Sequence, residues 1–600
     1  MNATAVTPKT SAASAGKDWL RALERTAPIA RNPGRILPLV IQELAGRFGD
    51  APALLSDRES FTFRSLAERT NRYSRWALQQ GLRKGDVVAL FMGNCPDYFA
   101  AWLGISAVGG VVALLNTNLV GRSLRHSIDV VRPRHLIVAS KMAGIVDEIA
   151  AACRDLQIWV HGSDHAVFPR IDSSLAQLPS NCLASAERPD LSIHDVALYI
   201  YTSGTTGMPK AANVSHGRIM QWAYWFAGML DIQTEDRTYN CLPMYHSIGG
   251  VLVPGAALVS GASVAVRQTF SAGQFWSDVI RWDCTMFQYI GEFCRYLLDT
   301  PASPNERNHR IRLACGNGLS PSVWEAFQQR FHVPRVVEFY ASTEGGLSLF
   351  NAEGEPGAIG RVPPYLAHRY APALVRCDVE TSQPIRDEQG RCIPCGIDEP
   401  GEALARCQSD SAQAGSRFEG YTDPEASEKK VLRDVLQPGD AWIRTGDLMR
   451  KDNRGFFYFV DRLGDTFRWK SENVATTEVA QAILSFPGVL HAVVYGVKVE
   501  TTEGRAGMAA VQLQTPLDLA ALRQHLAAAL PAYARPAFLR LWQACHMTGT
   551  FKYSKAELVR QGFNPDLCSD AIYFDNPETQ ALQPLDRALF DRIQSGEIRL

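Results

Sequence analysis

Neither charge sign is in excess. With 61 Lys and Arg against 62 Asp and Glu, the chain lacks the basic surplus that marks proteins built to hold nucleic acid, so small-molecule partners are expected. The opening MNATAVTPKTSAASAGK lacks the apolar core of a secretory signal. A disulfide framework is missing too, because the 13 cysteines are scattered through 600 residues, and a reducing cytoplasm fits best. Cys392 and Cys395 in RCIPCG have CxxC spacing, but no second pair stands at zinc-ribbon distance and the surroundings are proline-rich. Neither metal nor redox chemistry is expected there.

Long uninterrupted apolar runs are scarce. Tyr98 to Leu115, YFAAWLGISAVGGVVALL, is about long enough to cross a bilayer, but Gly109-Gly110 divides it into a helix-length piece and a β-branched piece. With DVVALFM before it, the run is expected to be a buried β-turn-α-β unit. Tyr239 to Val266 contains Pro243, Pro254 and several glycines, and is expected to form buried strands and turns.

Six hundred residues allow more than one hydrophobic core. From about Asn32 to Arg444, strand-like HLIVAS, VALYIYTS, ASVAVRQ and RVVEFYAS alternate with helix-patterned LRHSIDVV and SVWEAFQQRF, the pattern of an α/β body with parallel sheets. A hairpin follows, AWIRTGDLMR turning at DNRG into GFFYFVDR. The order then becomes α-β-β-α-β, which defines a small α+β domain from near Leu463. The expected division is a tail over 1–31, flexible at its start, a large domain over 32–462 and a small one over 463–600.

One stretch stands out, YTSGTTGMPK at Tyr201 to Lys210. Glycines permit positive φ, and the hydroxyls add to free backbone N–H groups, so the turn suits an anionic guest such as phosphate. It is not a Walker A loop, since Met208-Pro209 follow Gly207 where Lys-Ser/Thr would be required.

This stretch resembles the signature loop of the adenylate-forming superfamily, which includes acyl-CoA synthetases, luciferases and peptide-synthetase adenylation domains. Six further stretches fall in that family's order: LPMYHS at Leu242, GNGLS at Gly316, EFYASTEGG at Glu338, RTGDL at Arg444, VDRLGDTFRWKSENV at Val460 and TGTFK at Thr548. The last two, with EGRAGMAA and LPAYARP, are most similar to the fatty-acid transport protein and very-long-chain acyl-CoA synthetase branch. The resemblance implies a large α/β domain with parallel and distorted-barrel sheets and a small mobile α+β domain.

It also implies roles. Tyr201, Thr202, Ser203, Gly204, Thr205, Thr206, Gly207 and Lys210 would bind the ATP phosphates and the departing pyrophosphate. Tyr340 would stack on adenine, with Gly316 and Asn317 at its edge and Ala341 and Ser342 beside it. Thr343 and Glu344 follow, and Glu344 would hold Mg²⁺. Asp447 would accept from the ribose hydroxyls, with Arg462 as companion. His246 would stand between nucleotide and acyl tunnel. Lys552 would come from the small domain onto the acid carboxylate and the α-phosphate, with Lys555 as its nearby competitor. Gly464 would be the hinge, and Ser471 would border the path of the CoA thiol.

Three departures from the branch stand out: Ala341 and Ser471 replace glycines and Gly346 replaces an asparagine. Some bacterial long-chain relatives carry a tryptophan gate four residues after the His246 equivalent; here Gly250 stands there, and Trp222, Trp225 and Phe226 are candidates to line a tunnel. The expectation is an ATP-dependent ligase joining a long or very long fatty acid to CoA, with ATP, Mg²⁺ and CoA as cofactors. Its rivals are a ligase for a sterol or bile-acid side chain and a fatty-acid uptake protein that traps lipid by acylation. Oligomeric state is left open, as is peripheral contact with the inner face of a membrane.

Overall fold

The computed structural model describes residues 14–150, 156–165, 167–203, 208–370, 372–407, 418–470, 472–500, 502, 504–542, 555–598 and 600. The first sheet is six-stranded, in the order Gln157–His161, His135–Ala139, Val87–Phe91, Val111–Leu114, Val196–Ser203, Pro209–Ser215. Its pairs are parallel except for the final hairpin. Parallel strands covered on both faces show as continuous apolar runs, and all five residues of VVALF are buried. The second sheet is eight-stranded, in the order Ser348–Asn351, Val336–Ala341, Leu313–Asn317, Met286–Ile290, Arg237–Asn240, Ser263–Val266, Pro52–Leu55, Ser60–Thr62. Its interior pairs are parallel and its two edge pairs antiparallel.

The run from Tyr98 to Leu115 forms the expected βαβ unit. The wholly buried helix Pro96–Ser106 turns at Gly109, φ 86°, into Val111–Leu114. The run from Tyr239 to Val266 departs from expectation. Its strands Arg237–Asn240 and Ser263–Val266 are present, but between them a π-helical turn, Ile248–Leu252, continues into the helix Val253–Leu258. Pro254 has no N–H to donate, and the regular ladder is already interrupted there by the π-helical turn directly before it.

The helix Ala15–Arg31 packs on the helix His216–Met229. A Cβ on Gly228 would lie 2.6 Å from the Cα of Ala22, so the glycine allows this close approach. Trp19 meets Trp225 and Phe350 edge-on at 5.5 and 5.9 Å, and Phe226 meets Phe339 at 4.9 Å. Trp225 and Phe226 are thus part of a buried aromatic cluster.

Contacts divide the chain into two units, Met1–Arg369 with Cys407–Lys429 and Tyr370–Arg406 with Lys430–Leu600. Both large sheets lie in the first. The second has a five-stranded antiparallel sheet of Ala373–Val375, Gly401–Arg406, Ala441–Lys451 and Val431–Arg433, with Phe457–Arg462 paired to Ala441–Lys451. Its other sheet runs Val489–Val497, Ala506–Leu513, Phe538–Leu541, Ala571–Asn576, Ala581–Pro584. The helices Thr476–Leu484 and Leu519–Ala529 complete the expected α-β-β-α-β order, and the last two strands and the helix Arg587–Gln594 extend it.

Candidate active site

The signature stretch lies on the hairpin Val196–Ser203 and Pro209–Ser215, whose register sets Tyr201 opposite Ala211 and Thr202 opposite Lys210. Strand alternation then sorts the side chains. Tyr201 is buried and its hydroxyl donates to the Ser127 carbonyl, so its ring is core. Thr202 hydrogen-bonds to the hydroxyl of Tyr421. Ser203 ends its strand opposite Pro209, while Gly204, Thr205, Thr206 and Gly207 lie outside the described residues.

Tyr421 is the centre of this half of the site. Its hydroxyl donates to Glu344 Oε1 at 2.7 Å, and Lys210 Nζ lies 5.7 Å from its ring centroid. Burial and then the Glu344 carboxylate push the phenol well above its ordinary range, so it stays protonated and donates. Its segment runs beside the hairpin: Asn213 N–H donates to the Gly420 carbonyl at 3.0 Å and Thr422 N–H to that of Ala211 at 2.9 Å.

The turn bearing Thr343 and Glu344 is held from below. Arg218, only 1% exposed, donates to the Thr343 carbonyl at 3.2 Å and lies 3.4 Å from Glu419. Glu419 accepts from Ser215 N–H at 2.7 Å and Ser215 Oγ at 2.6 Å, and its own N–H donates to the Glu344 carbonyl at 3.1 Å. Gly345, φ 93°, is required here twice over, since a Cβ would stand 2.1 Å from an Arg218 nitrogen. Ser342 Oγ closes the turn on the Gly345 carbonyl at 2.8 Å.

Tyr340 and Ala341 end the strand Val336–Ala341, which pairs in parallel with Leu313–Asn317, so that strand ends from neighbours present Tyr340, half-buried, and Gly316-Asn317. Gly316 lies flat on Tyr289: a Cβ there would be 2.3 Å from the Tyr289 carbonyl and 2.5 Å from its ring. His246 is half-buried, its ring 4.5 Å from that of Tyr245, and its carbonyl accepts from Gly250 N–H at 2.9 Å. A Cβ on Gly250 would fall 1.8 Å from the Met244 carbonyl, so this backbone admits no gating side chain at that position.

In the second unit, Asp447 and Arg462 are register partners across a hairpin, with an ion-pair distance of 3.8 Å. Arg444 shapes the turn ahead of them through a fork onto the fully buried Glu402, at 3.0 and 2.7 Å, and Glu402 also accepts from Gly446 N–H. Gly464 is exposed, and a Cβ there would meet nothing within 4 Å. Lys555 opens the helix Lys555–Gln561, and its Nζ donates to Asp465 Oδ2 at 2.9 Å and Thr476 Oγ1 at 3.2 Å. Lys552 and Ser471 lie outside the described residues.

The sequence offered no sign of Tyr421, Arg218, Glu419 or Glu402, because each acts through a partner distant along the chain. Cys392 is buried and Cys395 half-buried, both with thiols pushed up by burial. Asp97, His161 and Asp172 gather as if for a cation, but Arg69 already fills that place, at 2.6 Å from Asp97 and 3.3 Å from Asp172.

Comparison with known proteins places these residues in context. Residues 41–406 match the profile described as AMP-binding enzyme, and residues 478–552 that of the AMP-binding enzyme C-terminal domain. Long-chain fatty acid transport protein 1 of Mus musculus is 39% identical over 580 residues, covering 95% of this chain and 89% of that protein. Long-chain fatty acid transport protein 6 of Homo sapiens is 39% identical over 563 residues, 92% of this chain and 89% of its own. Among solved structures, the anthranilate CoA ligase AuaEII in complex with anthranoyl-AMP aligns with a TM-score of 0.74 at 20% identity, covering 88% of this chain and 98% of that one.

Proposed function

The chain belongs to the AMP-binding enzyme family, and from this premise we propose that it is an ATP-dependent long-chain or very-long-chain fatty acyl-CoA synthetase. The observation that carries the proposal is the junction of Lys210, Thr202, Tyr421 and Glu344 at the signature hairpin, which joins a cation, two hydroxyls and a buried carboxylate. A fatty carboxylate attacks the α-phosphorus of ATP, giving acyl-AMP and pyrophosphate. The CoA thiol then displaces AMP at the acyl carbonyl. The names of the mammalian relatives support a long-chain acid.

Lys210 and the hydroxyl-rich loop supply charge and donors to phosphate oxygens, and Asp447 accepts from the ribose. Glu344 suits Mg²⁺ in donor type, as a hard carboxylate oriented by Tyr421, and would hold it there. Bound Mg²⁺ would offset charge on the triphosphate. Lys552 serves adenylation, and the part of the chain from 463 onward turns about Gly464, where a Cβ would meet nothing within 4 Å, so that the thiol enters past Ser471. Lys555 is held by Asp465 and Thr476, which supports Lys552 as the reaching lysine. Among the described residues no helix is long and apolar enough to cross a membrane. We assign the protein to the cytoplasm, with any membrane contact peripheral.

Tyr421→Phe tests the junction. Losing one hydrogen bond to a charged group costs about 1.5–3 kcal/mol, so the ATP and Mg²⁺ concentrations for half-maximal pyrophosphate release should rise roughly 10- to 100-fold. The KM for fatty acid should not move. Wild-type dependence on both ATP and Mg²⁺ in the folded variant would remove Tyr421 from the site.

A further inference from the structure

We infer that Glu338 is a positioning residue for the nucleobase, its buried carboxylate holding the turn Gly316–Ser320 in the shape that receives adenine. The inference rests on the synthetase reading. Glu338 is 2% exposed on the strand Val336–Ala341, two residues before Tyr340 and on the same face. It reaches across to the neighbouring strand end. Its Oε2 accepts from Gly318 N–H at 3.0 Å, and its Oε1 from Leu319 N–H at 3.1 Å and from the Tyr289 hydroxyl at 2.7 Å. One carboxylate thus ties both walls of the proposed adenine slot, the Tyr340 strand and the Gly316 turn, and adds Tyr289 beneath them.

The turn is fixed by packing as well. Gly316 lies against Tyr289, and a Cβ on Gly291 would stand 1.9 Å from the Gly318 carbonyl. A buried carboxylate is costly unless its oxygens are satisfied, and here both are. Only a carboxylate offers acceptors alone on both oxygens; an amide would turn an NH₂ group against an N–H or hydroxyl donor.

The environment makes this acceptor pH-sensitive. Burial, opposed by the three hydrogen bonds, raises the Glu338 pKa to about 7. The titratable groups facing it are Tyr289 on the strand Met286–Ile290, Cys315 on Leu313–Asn317 and Cys294 on the helix Gly291–Leu298. All three are pushed up by burial and stay neutral, so they do not titrate across this range. On the remaining side stands the uncharged Asn351, Glu338's register partner. Protonation of Glu338 converts an acceptor into a donor facing N–H groups, which loosens the turn. Because ATP binding favours the ionised form, affinity for ATP falls as pH drops through 7.

The test is steady-state pyrophosphate release with palmitate and CoA by wild-type and Glu338→Gln enzyme from pH 6 to pH 8. At pH 8 the variant should show a KM for ATP roughly tenfold above wild type, the scale of one lost charge-assisted hydrogen bond. The variant-to-wild-type ratio should shrink toward one at pH 6, and taking the ratio cancels the titration of ATP itself. The KM for palmitate should be unchanged. A ratio of one at every pH, or an equal rise in the KM for palmitate, overturns the inference. Tyr289→Phe provides a second variant should Glu338→Gln not fold: with one stabilising donor removed, the pH at which the ATP KM rises should move upward, and an unmoved profile contradicts the inference. If wild type itself releases no pyrophosphate from ATP, the synthetase reading fails first; normal release with an unaltered variant removes only the role of Glu338.

Discussion

Palmitate should be activated far more efficiently than octanoate. Each methylene transferred from water to an apolar wall contributes up to about 0.8 kcal/mol, a factor of roughly four in kcat/KM. The eight added methylenes of palmitate therefore set a ceiling of roughly 5 × 10⁴-fold, reached only if the site accepts them all. The rise should flatten once the tunnel is filled. A Cβ at Gly250 would fall 1.8 Å from the Met244 carbonyl, so no gating side chain at that position contributes to the chain-length profile. Kinetics across saturated acids of graded length check this. A preference for acetate or benzoate over palmitate would remove the long-chain assignment.

Lys552→Ala should lose acyl-AMP formation by roughly 10²- to 10³-fold, the usual consequence of removing one electrostatic group from a charged transition state. The same variant should still convert supplied acyl-AMP and CoA to thioester, because the proposed mechanism assigns that step to another pose of the small domain. Ser471→Phe should show the reverse, a blocked thioester step with normal pyrophosphate release in a single turnover. Single-turnover assays of each half-reaction separate the two defects. Equal loss of both steps in either folded variant would contradict the alternation of poses. Normal adenylation by Lys552→Ala would pass the role to another cation, and Lys555 could take it only by leaving Asp465 and Thr476.

The sequence carried the architecture well where one physical signal dominated. VVALF shows as a buried parallel strand because both its faces are covered, and the RTGD hairpin follows from its turn at DNRG. It failed at Ile248–Leu258, where glycine and proline suggested turns but close backbone packing and a π-helical start make a helix. Candidate site residues held in contiguous motifs, such as Lys210, Glu344 and Asp447, can be named from the sequence one by one. Tyr421 cannot, because a tyrosine in GYTDPEAS gives no hint that its hydroxyl meets a carboxylate 77 positions away. Tyr201 shows the opposite limit: it lies within the signature, yet alternation turns its ring into the core. Motif membership places a residue at the site, and only packing decides which way its side chain faces.

Product stoichiometry tests the assignment most directly. Purified protein given palmitate, ATP, Mg²⁺ and CoA should form AMP, pyrophosphate and palmitoyl-CoA in a ratio of about one to one to one, and palmitoyl-AMP should accumulate when CoA is withheld. Formation of ADP and inorganic phosphate, or no pyrophosphate from any fatty acid, would contradict it.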